Sequence, residues 1–224
     1  MPWELIGLVA VLAVFVVGAV VWWASSGGRG ELQAPTAPTV PEEGRVALGV
    51  TPDGRPYVGA PDARVRVMEF ADFQCPFCRK FAAEEFWTFL DGVIADGTVQ
   101  WQFYAVGFDG RESLAAAVAA QCALREDRFW PMHDWLYANA SVVIDSGAFA
   151  RDRLVAMAGQ VGLDPEAFER CLDDPAVAEL VLDNEARARA LGINATPTFV
   201  VGERLVQGLD MVGLRAVVEA AAGE

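Results

Sequence analysis

The sequence contains one histidine, His133, and one lysine, Lys80, among its 224 residues. It has four cysteines, and only two of them stand close together. A zinc site needs about four histidine, cysteine or carboxylate ligands at suitable spacing, so this supply disfavours zinc, and we expect neither a metal nor a cofactor. Positive charge is also scarce. The formal net charge of −14 argues against nucleic-acid binding and against docking on anionic lipid.

Charge is absent altogether from Leu5 to Trp23, and no lysine or arginine precedes Arg29. This run is long enough for about 28 Å of helix, close to the thickness of a bilayer core. We therefore predict a transmembrane anchor over residues 1–24. The alternative is a cleaved signal peptide, which usually has a shorter apolar core preceded by basic residues.

Residues 25–45 are rich in serine, glycine and proline and have no hydrophobic period, which predicts a flexible linker. A globular pattern covers residues 46–224. Helical patterns fill residues 109–191, and the expected strands are Arg55–Val58 at a sheet edge, Val65–Phe70, Val99–Tyr104 and a hairpin of Thr198–Val201 with Leu205–Gln207. This order predicts an α/β fold: a small mixed sheet flanked by helices, with an all-helical insertion.

The two neighbouring cysteines, Cys75 and Cys78, lie between a predicted strand and a predicted helix. On the first turn of a helix this spacing puts both thiols on one face, where they can close a disulfide. Pro76 suits the first helical position, because its missing N–H is not needed there. The unpaired N–H groups and the helix dipole favour the Cys75 thiolate, so we expect a lowered pKa. The pattern predicts thiol–disulfide exchange, with Cys75 as nucleophile and Cys78 as the buried resolving thiol.

Two other positions are candidates for the same site. Glu69 alternates with Val65 and Val67, so it should point to an apolar face, where burial would raise its pKa and let it exchange protons with a thiol. The alternative is an exposed acid at the strand end. Thr196-Pro197 could hold a cis peptide bond opposite the cysteines and leave the Thr196 main chain to pair with an extended substrate. The alternative there is an ordinary trans turn.

The remaining cysteines, Cys122 and Cys171, fall on apolar faces of predicted helices. They could be two buried free thiols or a structural disulfide. An exported domain favours the disulfide, and two pairs of cysteines suit an oxidising compartment. His133 lies in an aromatic stretch of a predicted helix, and we expect it to pack there rather than to take part in catalysis.

Three segments of the chain resemble DsbA-like thioredoxin-fold disulfide oxidoreductases. They are Val67–Phe81 with its Cys75-Pro76-Phe77-Cys78 motif, Phe129–Asp134, and Gly192–Phe199 with Thr196-Pro197. The similarity covers about residues 57–219. It implies a thioredoxin fold with a helical insertion and disulfide formation in exported proteins. We expect substrate contacts from Pro76, Phe77, Thr196 and Pro197.

The resemblance also implies a location and a partner. The enzyme would be anchored in the cell membrane by a single span, with its catalytic domain on the extracytoplasmic side. A membrane quinone reductase of the DsbB or vitamin K epoxide reductase type would restore the Cys75–Cys78 disulfide. The best-known oxidant of the family has histidine at the position of Phe77. Because phenylalanine cannot donate a hydrogen bond to a thiolate, we expect a less oxidising pair here. Two alternatives follow: an extracytoplasmic reductase or isomerase, and a non-catalytic thioredoxin-like peptide-binding module.

Overall fold

The computed structural model describes residues 31–39 and 46–223. The strands in this part of the chain are β1 (Leu48–Val50), β2 (Pro56–Gly59), β3 (Val65–Ala71), β4 (Val99–Ala105), β5 (Thr198–Val201) and β6 (Arg204–Gln207). They form one mixed sheet in the order β1-β2-β4-β3-β5-β6. Strands β3 and β4 are parallel, and the other neighbours are antiparallel. The α/β prediction with a mixed central sheet is confirmed.

The edge of the sheet differs from the prediction. Arg55–Val58 was expected at the edge, and this is wrong, because β2 pairs with β1 on one side and β4 on the other. Strand β1 forms the edge itself. It has only three residues, and Leu48 and Val50 are 50% and 46% exposed. So short and exposed a strand lacks the apolar alternation that identifies strands in a sequence.

The helix that follows β3 is α1, and it begins at Pro76. It consists of four consecutive segments: Pro76–Lys80, a π-helical segment at Phe81–Glu85, Phe86–Phe89, and a second π-helical segment at Leu90–Ile94, which is kinked at Gly92. The later helices are α2 (Arg111–Leu124), α3 (Phe129–Asn139), α4 (Arg151–Gln160), α5 (Pro165–Leu172), α6 (Pro175–Ala190) and α7 (Met211–Gly223). Helices α2 to α6 form the insertion predicted at residues 109–191.

Apolar side chains cover both faces of the sheet. On one face the Trp101 ring of β4 lies 5.7 Å from Phe81 and 5.3 Å from Phe89, both of α1. On the other face a buried cluster joins the sheet to the insertion; its members are Phe70, Tyr104, Val106, Ala188, Ile193 and Val200. Since burial of one large apolar side chain is worth about 1.5–3 kcal/mol, these two layers fix α1 and α6 on opposite faces.

A buried polar contact also anchors the insertion to the sheet. Asn184 of α6 has no exposed surface, and its side-chain amide donates a hydrogen bond of 2.9 Å to the Ala105 carbonyl of β4. Its oxygen accepts one of 2.8 Å from the buried guanidinium of Arg55. Leaving any of these groups unpaired would cost about 1–3 kcal/mol, so the contact holds α6 in one position on the sheet.

Part of the predicted linker is bound to the insertion. Gln33 exchanges two backbone hydrogen bonds of 2.9 Å with the side chain of Asn139 in α3. The N–H of Thr39 donates to the Asp134 carboxylate at 2.8 Å, and Thr39 is buried. The part of the predicted flexible linker between Gln33 and Thr39 is therefore held against α3 at both ends, because polar side chains of α3 bond to its backbone. Residues 25–30 and 40–45 lie outside the described residues.

The predicted anchor at residues 1–24 also lies outside the described residues, so it stays a prediction. Within the residues that the structure describes, none of the helices combines the length and apolar character needed to cross a bilayer.

Cys122 of α2 and Cys171 of α5 are bonded to each other, with their Cα atoms 5.8 Å apart. Of the two alternatives for these cysteines, the structure has the disulfide. The bond links two helices of the insertion across a sequence separation of 49 residues.

Replacing both structural cysteines with alanine should lower the free energy of unfolding by about 4 kcal/mol, the chain-entropy value for a loop of this length. Urea unfolding of the variant and the parent protein would measure the difference. The control is a Cys75→Ala/Cys78→Ala variant, in which the Cys122–Cys171 bond is the only disulfide. Its free energy of unfolding is compared with and without reductant. A loss under about 1 kcal/mol would show that the bond adds little.

Candidate active site

The redox pair lies where β3 ends and α1 begins. The backbone N–H of Cys75 donates to the Asp72 carbonyl at 3.1 Å, which closes the turn, and Cys75 is the extended N-cap residue of α1. Cys78 has no exposed surface, whereas Cys75 is 5% exposed, and both thiols are free. A reactant can therefore approach Cys75 but not Cys78, as their positions on the helix predict.

The two thiols have opposite pKa shifts. A hydrogen bond from the Cys78 side chain is the largest influence on Cys75; burial opposes it, and Thr196 and the backbone N–H groups of Cys78 and Phe77 assist it. Together they lower the pKa of Cys75 to about 6. Burial, and after it the nearby Cys75 sulfur, raise the pKa of Cys78 well above its ordinary value. The partner thiol thus contributes more than the helix backbone to which the sequence argument attributed the shift.

Glu69 of β3 lies inside the protein, on the sheet face that α1 covers. It is 4% exposed, and its carboxylate accepts a hydrogen bond of 2.8 Å from the indole N–H of Trp101. Burial outweighs this bond and raises the pKa of Glu69 to about 8. The expected buried position is confirmed, and its role in proton transfer remains a proposal.

The Thr196–Pro197 peptide bond is cis, and it approaches the nucleophilic sulfur. The Cys75 thiol donates to the Thr196 carbonyl at a sulfur–oxygen distance of 3.2 Å. Pro76 and Phe77 are exposed beside the same sulfur, and Phe77 is 58% exposed. The structure therefore brings the predicted substrate-binding residues to one place, around Cys75.

A buried polar network that sequence reasoning missed holds the loop before Cys75. The Asp72 carboxylate has no exposed surface and accepts hydrogen bonds from Ser113 Oγ (2.6 Å) and from the backbone N–H groups of Gln74 (2.8 Å) and Asp109 (2.9 Å). Burial raises the pKa of Asp72 although these three bonds oppose the shift. Ser113 belongs to α2, so the network joins the redox loop to the insertion.

Gln74 extends this network to a second loop of the insertion. Its side-chain nitrogen donates to Ser113 Oγ at 3.0 Å, and its oxygen accepts from the backbone N–H of Asp145 at 2.8 Å. The carboxylate of Asp145 in turn accepts from two backbone N–H groups at the start of α2, those of Arg111 and Glu112. Such contacts join residues far apart along the chain, and no local pattern indicates them.

Between α3 and α4, three consecutive aliphatic residues are exposed: Val142 (79%), Val143 (61%) and Ile144 (53%). We call them the apolar loop. One end is held by Arg79, which donates to the Ala140 carbonyl at 3.0 Å, and the other by the bond between Asp145 and Gln74. Because Arg79 and Gln74 flank the redox motif, the apolar loop lies beside it.

A groove of about 580 Å³ opens next to the redox motif. Its walls come from three parts of the protein: the start of α1 with Pro76 and Phe77, helix α3 with Tyr137, and the bound segment with Pro35. The segment that was expected to be a free linker therefore lines the surface that a reactant of Cys75 would meet.

Comparison with known proteins assigns the family. Residues 51–220 match the family described as Thioredoxin. The chain belongs to the thioredoxin family. The disulfide bond formation protein D of Bacillus subtilis (strain 168) is 28% identical over 170 residues, which cover 74% of this chain and 77% of that protein.

The crystal structure of oxidised BdbD from Bacillus subtilis is similar to this chain with a TM-score of 0.71 and 27% identity. The matched region covers 80% of this chain and 99% of the BdbD chain. The thioredoxin fold, the DsbA-like family and the enzyme class expected from the sequence, thiol–disulfide oxidoreductase, are supported by these relatives.

Another relative is much longer than this chain. The Na⁺/H⁺ antiporter NhaA of Herminiimonas arsenicoxydans is 33% identical over 163 residues, which cover 72% of this chain. The matched part is only 25% of that antiporter, so the chain spans about a quarter of its length.

Titration of the reduced protein, followed by the ultraviolet absorbance of the thiolate, should give a midpoint near pH 6 for Cys75. A Cys78→Ala variant should titrate at a higher pH, because it lacks the largest contribution to the low pKa. Cys78→Ser, which keeps a hydrogen-bond donor, should fall between the two. A parent midpoint near the ordinary thiol value of about 8.5, or one that Cys78→Ala leaves unchanged, would contradict this account.

Proposed function

We propose that this protein transfers a disulfide from the Cys75–Cys78 pair to reduced exported proteins. The observation that supports this most strongly is the opposed shift of the two thiols: the pKa of Cys75 is lowered to about 6, and that of Cys78 is raised. A sulfur with a low pKa is a good leaving group, so a mixed disulfide on Cys75 breaks readily in favour of the substrate's own disulfide.

The reaction has two steps. A substrate thiolate attacks the Cys75 sulfur, the Cys75–Cys78 bond breaks, and its electron pair goes to Cys78, which takes up a proton. A second substrate thiolate then attacks the substrate sulfur of the mixed disulfide, and Cys75 leaves as a thiolate. The substrate loses two electrons, and the cysteine pair gains them.

Glu69 is the proposed proton donor for Cys78. Below a pH of about 8 its buried carboxyl group is protonated, so it can supply the proton that the leaving sulfur needs. When the pair is reoxidised, the same group accepts that proton. Its burial on the α1 side of β3 supports this role, because water has little access there.

The rim around Cys75 supports an unfolded polypeptide as substrate. The main chain of Thr196, next to Pro197, would pair with an extended segment, as in strand addition. Pro76, Phe77 and the apolar loop form an exposed apolar surface beside it, which suits the apolar side chains that a folded protein buries.

Phe77 bears on the direction of electron flow. It cannot donate a hydrogen bond to the thiolate, which favours a less oxidising pair and keeps a reductase or isomerase as the second candidate. A peptide-binding module without exchange chemistry is the third, and the low pKa of Cys75 disfavours it.

The proposal includes a membrane setting. Residues 1–24 would anchor the protein and residues 25–32 would lead from the membrane to the bound segment, with the catalytic domain on the extracytoplasmic side. A membrane quinone reductase of the DsbB or vitamin K epoxide reductase type would reoxidise the pair. The apolar run from Leu5 to Trp23 supports the anchor.

A Cys78→Ala variant whose Cys75 is first loaded with 5-thio-2-nitrobenzoate as a mixed disulfide should form covalent complexes with reduced exported proteins that have one cysteine. The substrate thiolate attacks the Cys75 sulfur and thionitrobenzoate leaves. Neither Cys78 nor a second substrate thiol is then present to break the new bond. Gels run without reductant would show them, and they should disappear in Cys75→Ala/Cys78→Ala. Equilibration of the parent with glutathione tests the direction. A potential near −270 mV, the value of thioredoxin, would contradict the oxidase and favour the reductase.

Glu69→Gln should slow the attack of a small thiol on the oxidised protein by about 100-fold or more, because the leaving sulfur loses its acid. Compared at equal thiolate concentration, the parent rate should fall as pH rises through about 8, while the variant rate stays flat. Glu185→Gln is the matched control, since Glu185 is also buried but bonds to Gly107 and Arg189. Equal rates for Glu69→Gln and the parent would exclude the role.

A further inference from the structure

Tyr137 of α3 carries a buried hydroxyl group without a partner. The residue is 5% exposed, and among the described residues its oxygen has no hydrogen-bond partner. Its ring packs 4.9 Å from Phe73 and 4.8 Å from His133, so the side chain is held in place. An unpaired buried hydroxyl is costly and uncommon, and its presence calls for a physical reason.

The surroundings of this hydroxyl belong to the redox site. Phe73 precedes Cys75 by two residues, and Tyr137 lines the groove beside Pro76 and Phe77. After burial, the groups that raise the pKa of Tyr137 are Cys78, Glu69, Asp72 and Cys75, in that order. The phenol therefore stays protonated. If one of these groups becomes an anion, the Tyr137 hydroxyl can act as a hydrogen-bond donor to it.

The four acids differ in their partners and in when they carry charge. Asp72 accepts three hydrogen bonds, and Glu69 is bonded to Trp101. The Cys75 thiolate is stabilised by Cys78, Thr196 and two backbone N–H groups. Cys78 has contacts with Cys75, the Asp72 backbone and Thr196. It is fully buried, and it differs from the other three because it becomes an anion only while the disulfide is being broken or formed.

We propose that the Tyr137 hydroxyl donates a hydrogen bond to the Cys78 sulfur as negative charge develops on it. This inference rests on the proposed function. When a thiolate attacks Cys75, the electron pair of the broken bond passes to Cys78, and Tyr137 stabilises that charge until a proton arrives from Glu69. The phenol keeps its own proton throughout. Such a bond exists in the transition state and not in the resting protein, so it accelerates the step.

Tyr137→Phe removes the hydroxyl and keeps the ring. The variant, fully oxidised, should react with dithiothreitol about 10-fold more slowly than the parent protein. The reverse step, closure of the mixed disulfide by Cys78, should slow by the same factor, so the equilibrium constant with glutathione should change by less than about 2-fold. The melting temperature should stay the same or rise, since no resting hydrogen bond is lost.

Tyr104→Phe is the matched control. Tyr104 is also buried, but its hydroxyl donates to Gln102 on the other face of the sheet, and its ring stacks on Phe70. Its rate should stay within about 2-fold of the parent rate.

Three results would overturn the proposal: an unchanged rate in Tyr137→Phe, a slower rate that comes with a lower melting temperature, or an equal loss of rate in Tyr104→Phe. Failure of the proposed function is a separate result, because it would be seen in the parent protein: a potential near that of thioredoxin, or no transfer of the disulfide to a reduced polypeptide, whatever the rates with dithiothreitol are.

Discussion

A hydrogen bond from the Cys78 side chain to the Cys75 sulfur is the interaction on which the rest of the site depends. It is the largest contribution to the low pKa of Cys75, ahead of Thr196 and the helix N–H groups. The bond requires that Cys78 keep its proton, and the burial of Cys78 ensures this by raising its pKa. The core formed by β3, β4 and α1 is therefore part of the chemistry, because it excludes water from one thiol and so makes the other reactive.

Much of this arrangement follows from the sequence. The strand patterns at Val65–Phe70 and Val99–Tyr104, the proline after Cys75 and the alternation that places Glu69 on an apolar face are all local patterns. The missed features are of another kind. Strand β1 is too short and exposed for a pattern, and the Asp72 network joins Gln74 to Ser113 and Asp145 across 39 and 71 residues. Long-range polar contacts depend on the fold being formed, so a single sequence does not reveal them.

The same network gives the insertion a physical role. Because Ser113 and Asp145 hold Asp72 and Gln74 from the side of the insertion, the loop before Cys75 has fixed partners on its sheet side and on its helical side. The anchoring of α6 through Asn184 then keeps those partners in register with the sheet. The insertion thus positions the redox loop, and it also supplies the apolar loop and Tyr137.

The apolar loop has a consequence for how copies of this protein meet. Exposed aliphatic residues usually promote self-association of a protein. Here 31 acidic residues outnumber 17 basic ones, so two copies repel each other over a distance of about 8–10 Å at ordinary salt. A weakly charged unfolded chain experiences no such repulsion. The negative charge thus prevents self-association through the apolar loop and leaves that loop available to unfolded substrate chains.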